Sequence, residues 1–141
     1  MPKMEDKEKK VQEMYMEFQM IDGQIKQLQN QLEMITHQLV ELTVTGGSLD
    51  DFSKIKEGIE IFVPLSAGIF AMAKLMEKSE LLVNVGANVA VKKDIPSTKA
   101  LIQNQIEEIK RIQNQMMDEL EKMTGKAAQM EMQLQGLMQQ G

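Results

Sequence analysis

Apolar residues near the start of the chain recur at alternating intervals of three and four: Val11, Met14, Phe18, Ile21, Ile25, Leu28, Leu32, Ile35, Leu39 and Leu42. A mean repeat of about 3.5 residues keeps one apolar stripe facing one partner along a supercoiling helix. The same alternation returns near the other end, in Ile102, Ile106, Ile109, Met116, Leu120, Met123, Ala127, Met130, Leu134 and Leu137, with Gln113 as its polar interruption. Positions between the stripe residues are mostly Gln, Glu, Lys and Asn, which suits a water-facing back. Two matched stripes in one chain predict a long antiparallel two-helix coiled coil.

The first helix is predicted over residues 1–45. Its opening turns interleave Lys3, Lys7, Lys9 and Lys10 with Glu5, Asp6 and Glu8 at spacings that permit side-chain pairs. Gly46-Gly47 reads as its stop, because glycine takes the left-handed conformation of a C-cap at little cost. Ser48, with Asp51 three positions on, reads as the N-cap of a short helical turn closed by Gly58, so that 46–58 is a linker. From Ile59 the period falls to two. The runs Ile59–Pro64, Ile69–Leu75, Leu81–Val85 and Val89–Lys93 predict four short strands over 59–93, as two hairpins or one meander, with turns at Ser66-Ala67-Gly68, Glu77-Lys78-Ser79 and Gly86-Ala87-Asn88. Asp94 is placed to cap a second helix over 94–141, with Pro96 in its first turn and fraying at Gln139-Gln140-Gly141. The fold class is therefore α+β.

The strands are apolar on both faces. Ile59, Ile61 and Val63 share one face with their counterparts in the other strands, while Phe62, Phe70, Met72 and Leu82 occupy the opposite one. Short strands with open edges and two apolar faces aggregate unless covered or paired. Another copy of the sheet is the expected cover, so Ile59, Ile61, Val63, Ile69, Phe70, Leu81, Val83, Val85, Val89 and Val91 are assigned to an oligomerisation sheet or barrel.

If the chain reverses with Val44 opposite Ser97, facing residues have numbers that sum to about 141. Val11 then meets Met130, Met14 meets Ala127, and Phe18 meets Met123. Both free ends share one tip. Composition now matters, because 11 of the 14 methionines fall in residues 1–20 or 116–138: Met1, Met4, Met14, Met16, Met20, Met116, Met117, Met123, Met130, Met132 and Met138. Met4, Met14, Met116, Met123 and Met130 belong to the stripes. Met16, Met20, Met117, Met132 and Met138 do not, and exposed apolar side chains in a cluster mark a contact surface. Methionine adapts to many apolar partners. The binding tip is assigned to Met14, Met16, Met20, Met117, Met123, Met130, Met132 and Met138; the bland alternative is that methionine serves here only as a good helix former.

Chemistry is otherwise sparse. A net charge of −5 argues against a nucleic-acid partner, and the absence of cysteine removes disulfides and thiolate metal sites and suits the cytoplasm. No apolar run has membrane-spanning length, and the polar N-terminus does not read as a signal peptide. His37 is the single histidine and has no ligand or catalytic neighbours. Glu107-Glu108 and the Asp118–Glu121 cluster read as solvated helix surface, Ser48 and Ser66 lack a histidine partner, and Gly46-Gly47 and Val85-Gly86 lack the spacing of phosphate loops. Neither an enzyme, a cofactor nor a metal site is expected.

The order helix, four strands, helix resembles the alpha-type subunits of the prefoldin family, in their archaeal form. Its most specific part is Val63-Pro64-Leu65-Ser66-Ala67-Gly68-Ile69-Phe70, followed by Leu82-Val83-Asn84-Val85-Gly86-Ala87-Asn88-Val89-Ala90-Val91-Lys92-Lys93, which look like the family's two hairpins. The resemblance implies a hexamer of two alpha-type and four beta-type subunits, with a central β-barrel body and helical tentacles. It implies ATP-independent capture of unfolded clients between tentacle tips and their delivery to a group II chaperonin. The family also contains an alpha-type chain of homo-oligomeric or filament-forming habit, which leaves the stoichiometry open. The competing expectation is a structural coiled-coil scaffold that docks one fixed partner.

Overall fold

The computed structural model describes residues 2–139, and side chains from Glu5 to Gln139. The expectations for Met1, for the side chain of Met4 and for fraying at Gln140-Gly141 lie outside the described residues. The elements are helix α1 (Pro2–Ser53), strands β1 (Glu60–Ser66), β2 (Ile69–Lys74), β3 (Leu81–Gly86) and β4 (Val89–Lys93), and helix α2 (Ile95–Gln139). They fall into two compact units, Met1–Gln38 with Ile109–Gly141, and Leu39–Glu108.

In the first unit the two stripes pack on each other. From Val11 to Ile35 every stripe residue of α1 is half-buried or buried, and the positions between them, Asp22 aside, are exposed. On α2 the same holds from Ile109 to Leu137, with Leu28, Ala127, Met130 and Leu134 forming the buried centre. Gln113, the polar interruption, is satisfied: its Nε2 donates to Thr36 Oγ1 at 3.1 Å.

That hydrogen bond also sets the register. Facing residue numbers sum to about 149, not 141. Val11 and Phe18 share a groove with Leu134 and Met138, and Met14 shares another with Leu137. The expected pairs Val11–Met130, Met14–Ala127 and Phe18–Met123 are therefore replaced.

The cause is visible in the second unit. Helix α1 does not stop at Gly46-Gly47 but continues to Ser53, eight residues beyond Thr45. Neither glycine adopts a positive φ, so neither forms a left-handed cap. The stripe runs on through Leu39, Leu42, Gly46, Leu49 and Ser53, all half-buried, at the same intervals of three and four. Ser48 is helix interior and caps nothing. Gly46 is the stripe's smallest member: a Cβ there would lie 3.9 Å from Ile102 Cγ2. The helix ends in two tight turns, with the Lys54 and Ile55 N–H groups donating to the Asp51 and Phe52 carbonyls. Gly58, at φ +85°, turns the chain into β1. α1 has no basic residue in its last turn, but Lys78 Nζ donates to the Ser53 carbonyl at 3.0 Å and supplies positive charge at that terminus.

The strands form two separate two-stranded sheets, β1 with β2 and β3 with β4, both antiparallel, so the segment is two hairpins. Observed strand ends differ from expectation by one or two residues, and β4 matches over Val89–Lys93. Each hairpin carries an irregularity before its turn, between Pro64 and Ser66 and between Asn84 and Gly86. In the second, Ala87 and Asn88 both take left-handed backbone, and Asn84 Oδ1 accepts the Gly86 N–H at 2.9 Å. Helix α2 starts as its sequence demands: the Ser97 N–H donates to Asp94 Oδ1 at 2.7 Å, and the buried Thr98 hydroxyl donates to the Asp94 carbonyl at 2.8 Å.

Candidate functional site

Coiled-coil packing divides the methionines of the first unit by position. Met130 is buried and Met14 and Met123 are half-buried, because stripe positions point at the partner helix. Met16, Met20, Met117, Met132 and Met138 stand outside the stripes and are 51 to 74 % exposed. Met14 and Met138 line grooves where α1 meets α2, whereas Met16, Met20, Met117 and Met132 line neither of these two grooves. The larger groove, about 470 Å³, brings Val11, Tyr15 and Phe18 of α1 against Leu134 and Met138 of α2, with Gln12, Glu131 and Gln135 around them.

Tyr15 and Met34, both exposed, belong to this surface inventory and escaped the sequence reading. Tyr15 had a signal: an aromatic three residues before Phe18, beside the stripe rather than on it. Met34 meets the same off-stripe criterion that selected Met16 and Met20.

The second unit carries the other candidate surface. Residues opposite one another in an antiparallel pair share a face. Ile61 pairs with Ala73 and Val63 with Ala71, and of these all but Val63 are half-buried. The reverse face, with Phe62 opposite Met72 and Pro64 opposite Phe70, is open to solvent. In the other hairpin Leu81, Val83 and Val91 are half-buried, while Leu82 is 74 % exposed. Among the residues assigned to oligomerisation, Ile59, Val63, Ile69, Phe70, Val85 and Val89 are exposed and Ile61, Leu81, Val83 and Val91 are half-buried. Phe62, Met72 and Leu82, on the opposite face of the same 59–93 segment, are more exposed than any of these. With two strands per sheet, every strand also keeps one unpaired edge.

Charge in the second unit is organised for structure. Lys99 Nζ lies 2.6 Å from Asp50 Oδ1. This hydrogen bond, then the lysine charge, holds the Asp50 carboxyl below its usual range. Asp94 is lowered likewise, by the hydrogen bonds it accepts from Ser97. His37 is exposed on the back of α1, 4.0 Å from Glu33. Among the described residues, no group of three or more His, Cys, Asp or Glu is arranged to hold a metal ion, and no helix is long and apolar enough to cross a membrane.

Comparison with known proteins agrees with this geometry. The family model for prefoldin, described as prefoldin subunit, matches residues 21–140. The chain is 28% identical over 125 residues to the prefoldin subunit alpha of Methanococcus aeolicus, covering 89% of this chain and 85% of that one. It is 30% identical over 128 residues to the prefoldin subunit alpha of Pyrobaculum aerophilum, covering 90% and 94%. Among solved structures it is similar to filamentous PFD from Methanocaldococcus jannaschii, determined by cryo-EM, with a TM-score of 0.70 and 15% identity over 79% of this chain and 93% of that one. At that identity the likeness speaks for the fold.

Proposed function

The chain belongs to the prefoldin family of chaperone subunits, and from that premise we propose that it captures unfolded proteins without ATP on the apolar side chains near its two chain ends and passes them to a group II chaperonin. Prefoldin subunits form oligomeric assemblies with other prefoldin subunits. Two chains of this type with four beta-type subunits is the proposed assembly, joined through the hairpin residues Ile59, Ile61, Val63, Ile69, Phe70, Leu81, Val83, Val85, Val89 and Val91. The exposed Phe62, Met72 and Leu82 and the unpaired strand edges support a partner there. In this proposal the chain works in the cytoplasm, needs no cofactor and catalyses no reaction.

One observation carries the client-binding part: side chains that are apolar and flexible stand at outer helix positions, where Gln, Glu and Lys occur elsewhere in the same helices. An unbranched thioether fits irregular apolar surfaces at little cost in specificity. Met14, Met123 and Met130 of the expected tip contribute to the helix pair first. Several weak surfaces on one assembly hold a flexible client by avidity, and weak individual contacts let it leave without nucleotide hydrolysis.

The test replaces Met16, Met20, Met117 and Met132 together by Gln. Light scattering of several unrelated denatured proteins diluted into the chain, with and without beta-type subunits, is expected to show suppressed aggregation by the native sequence and its loss in the variant, at unchanged helicity. Unchanged suppression overturns the site. No suppression of any client by the native sequence points instead to a scaffold docking one fixed partner.

A further inference from the structure

Fourteen thioethers, no thiol and no indole make methionine the side chain that a peroxide attacks first in this protein. Among the described residues of the helix pair, packing leaves Met130 buried, Met14, Met116 and Met123 half-buried, and the outer methionines exposed. Met130 is 7 % exposed in the centre of the helix pair, whereas Met132, two residues on, is 74 % exposed. The other outer positions, Met16, Met20, Met117 and Met138, are likewise exposed.

We propose that Met16, Met20, Met117, Met132 and Met138 are reversible oxidation sites through which peroxide turns client capture down while α1 and α2 stay paired. This rests on the capture reading above. The sulfur lone pair attacks one oxygen of hydrogen peroxide, the O–O bond breaks as the S–O bond forms, and sulfur loses two electrons. The departing hydroxide takes up a proton and leaves as water. Reversal belongs to the sulfoxide reductases, whose two thiols form a disulfide as the sulfoxide oxygen leaves as water.

Sulfoxides are polar and strongly hydrated, so burying one against an apolar client segment costs its solvation without a compensating hydrogen bond. The surface that adapts best to clients therefore loses its affinity upon gaining one oxygen per side chain. The helix pair is protected because most of its stripe residues carry no sulfur, and of its stripe methionines Met130 is buried and Met14, Met116 and Met123 are half-buried.

The experiment treats the full chain with limiting hydrogen peroxide and maps sulfoxides by peptide mass. Met132 is expected to oxidise about tenfold faster than Met130, in proportion to exposure. The oxidised chain is expected to lose most of its suppression of client aggregation at unchanged far-ultraviolet circular dichroism. The two epimer-specific reductases with dithiothreitol are expected to restore it. A variant with Leu at the exposed Met34 and Met76, which lie outside the five, is expected to suppress aggregation like the native chain and to lose that suppression to peroxide as the native chain does, which separates the five sites from these two.

Met130 oxidising in step with Met132, or a Met34→Leu, Met76→Leu variant whose suppression peroxide no longer lowers, overturns the assignment. A reduced chain that suppresses aggregation and an oxidised chain that suppresses it equally overturn this inference alone. A reduced chain that suppresses nothing overturns the capture reading as well.

Discussion

Replacing Gly46 by alanine decides whether α1 ends where its glycines suggest or runs on to Ser53. In the structure Gly46 has helical backbone and a half-buried stripe position. A Cβ there meets only Ile102 Cγ2, at 3.9 Å, an ordinary contact. Two gains then add. Alanine in place of glycine in a helix interior stabilises by roughly 0.5–1 kcal/mol. The methyl group, about half withdrawn from water, contributes roughly 0.4 kcal/mol more. Gly46→Ala should thus stabilise by about 1–1.5 kcal/mol, or roughly 3–5 °C in the thermal midpoint for a chain of this size.

Gly23→Ala and Gly47→Ala are the controls. A Cβ at either position meets nothing within 4 Å, so only the backbone gain of about 0.5–1 kcal/mol remains. Melting followed by far-ultraviolet circular dichroism must be run at one protomer concentration, since assembly shifts the midpoint by mass action. A helix capped at Gly46-Gly47 would give the opposite sign, because a left-handed alanine costs roughly 1–2 kcal/mol. A lower midpoint for Gly46→Ala or Gly47→Ala refutes the continuous helix.

The register has its own test. A cysteine-free chain allows paired cysteines to report proximity without background: Thr36→Cys with Gln113→Cys is expected to cross-link through a short bismaleimide, and Phe18→Cys with Met123→Cys is not. Closure of only the second pair would restore the sum of 141. Acid should weaken the chain in a defined direction. The Asp94 carboxyl is held low by Ser97, and Asp50 by Lys99, so both stabilise above the ordinary carboxyl value of about 3.9 and lose that contribution as pH falls through their lowered folded values. Asp94→Asn, which keeps an acceptor oxygen, is expected to hold the neutral-pH midpoint and flatten part of the acid loss. A steeper or unchanged acid profile would show that the cap carries no titrating share.

What was legible in the chain followed from repetition. The heptad stripes were readable residue by residue because each position repeats the same demand, that one face be apolar, and burial follows that demand from Val11 to Leu42 and from Ile102 to Leu137. The helix stop was misread because glycine permits a left-handed cap without requiring one. The alternation through Leu42, Gly46, Leu49 and Ser53 was the stronger signal, and it was present in the sequence. Strands were legible from their period of two, but their more exposed face was not, since Ile61 and Phe62 are both apolar and only the three-dimensional arrangement separates them.

The corrected register changes the composition of the chain-end surface more than its existence. With sums near 141, Met138 would face the first residues of the chain. With sums near 149 it joins Val11, Tyr15, Phe18 and Leu134 around one groove. Stripe residues that do not fully close over one another thus leave apolar surface beside Met138, and the two kinds of side chain offer different things. Val11, Phe18 and Leu134 are fixed by helix packing and present one shape. The outer thioethers have three rotatable bonds each and reshape to what arrives. A binding surface for chains with no common structure needs the second property, and its chemical cost is that the same accessible sulfur is open to peroxide.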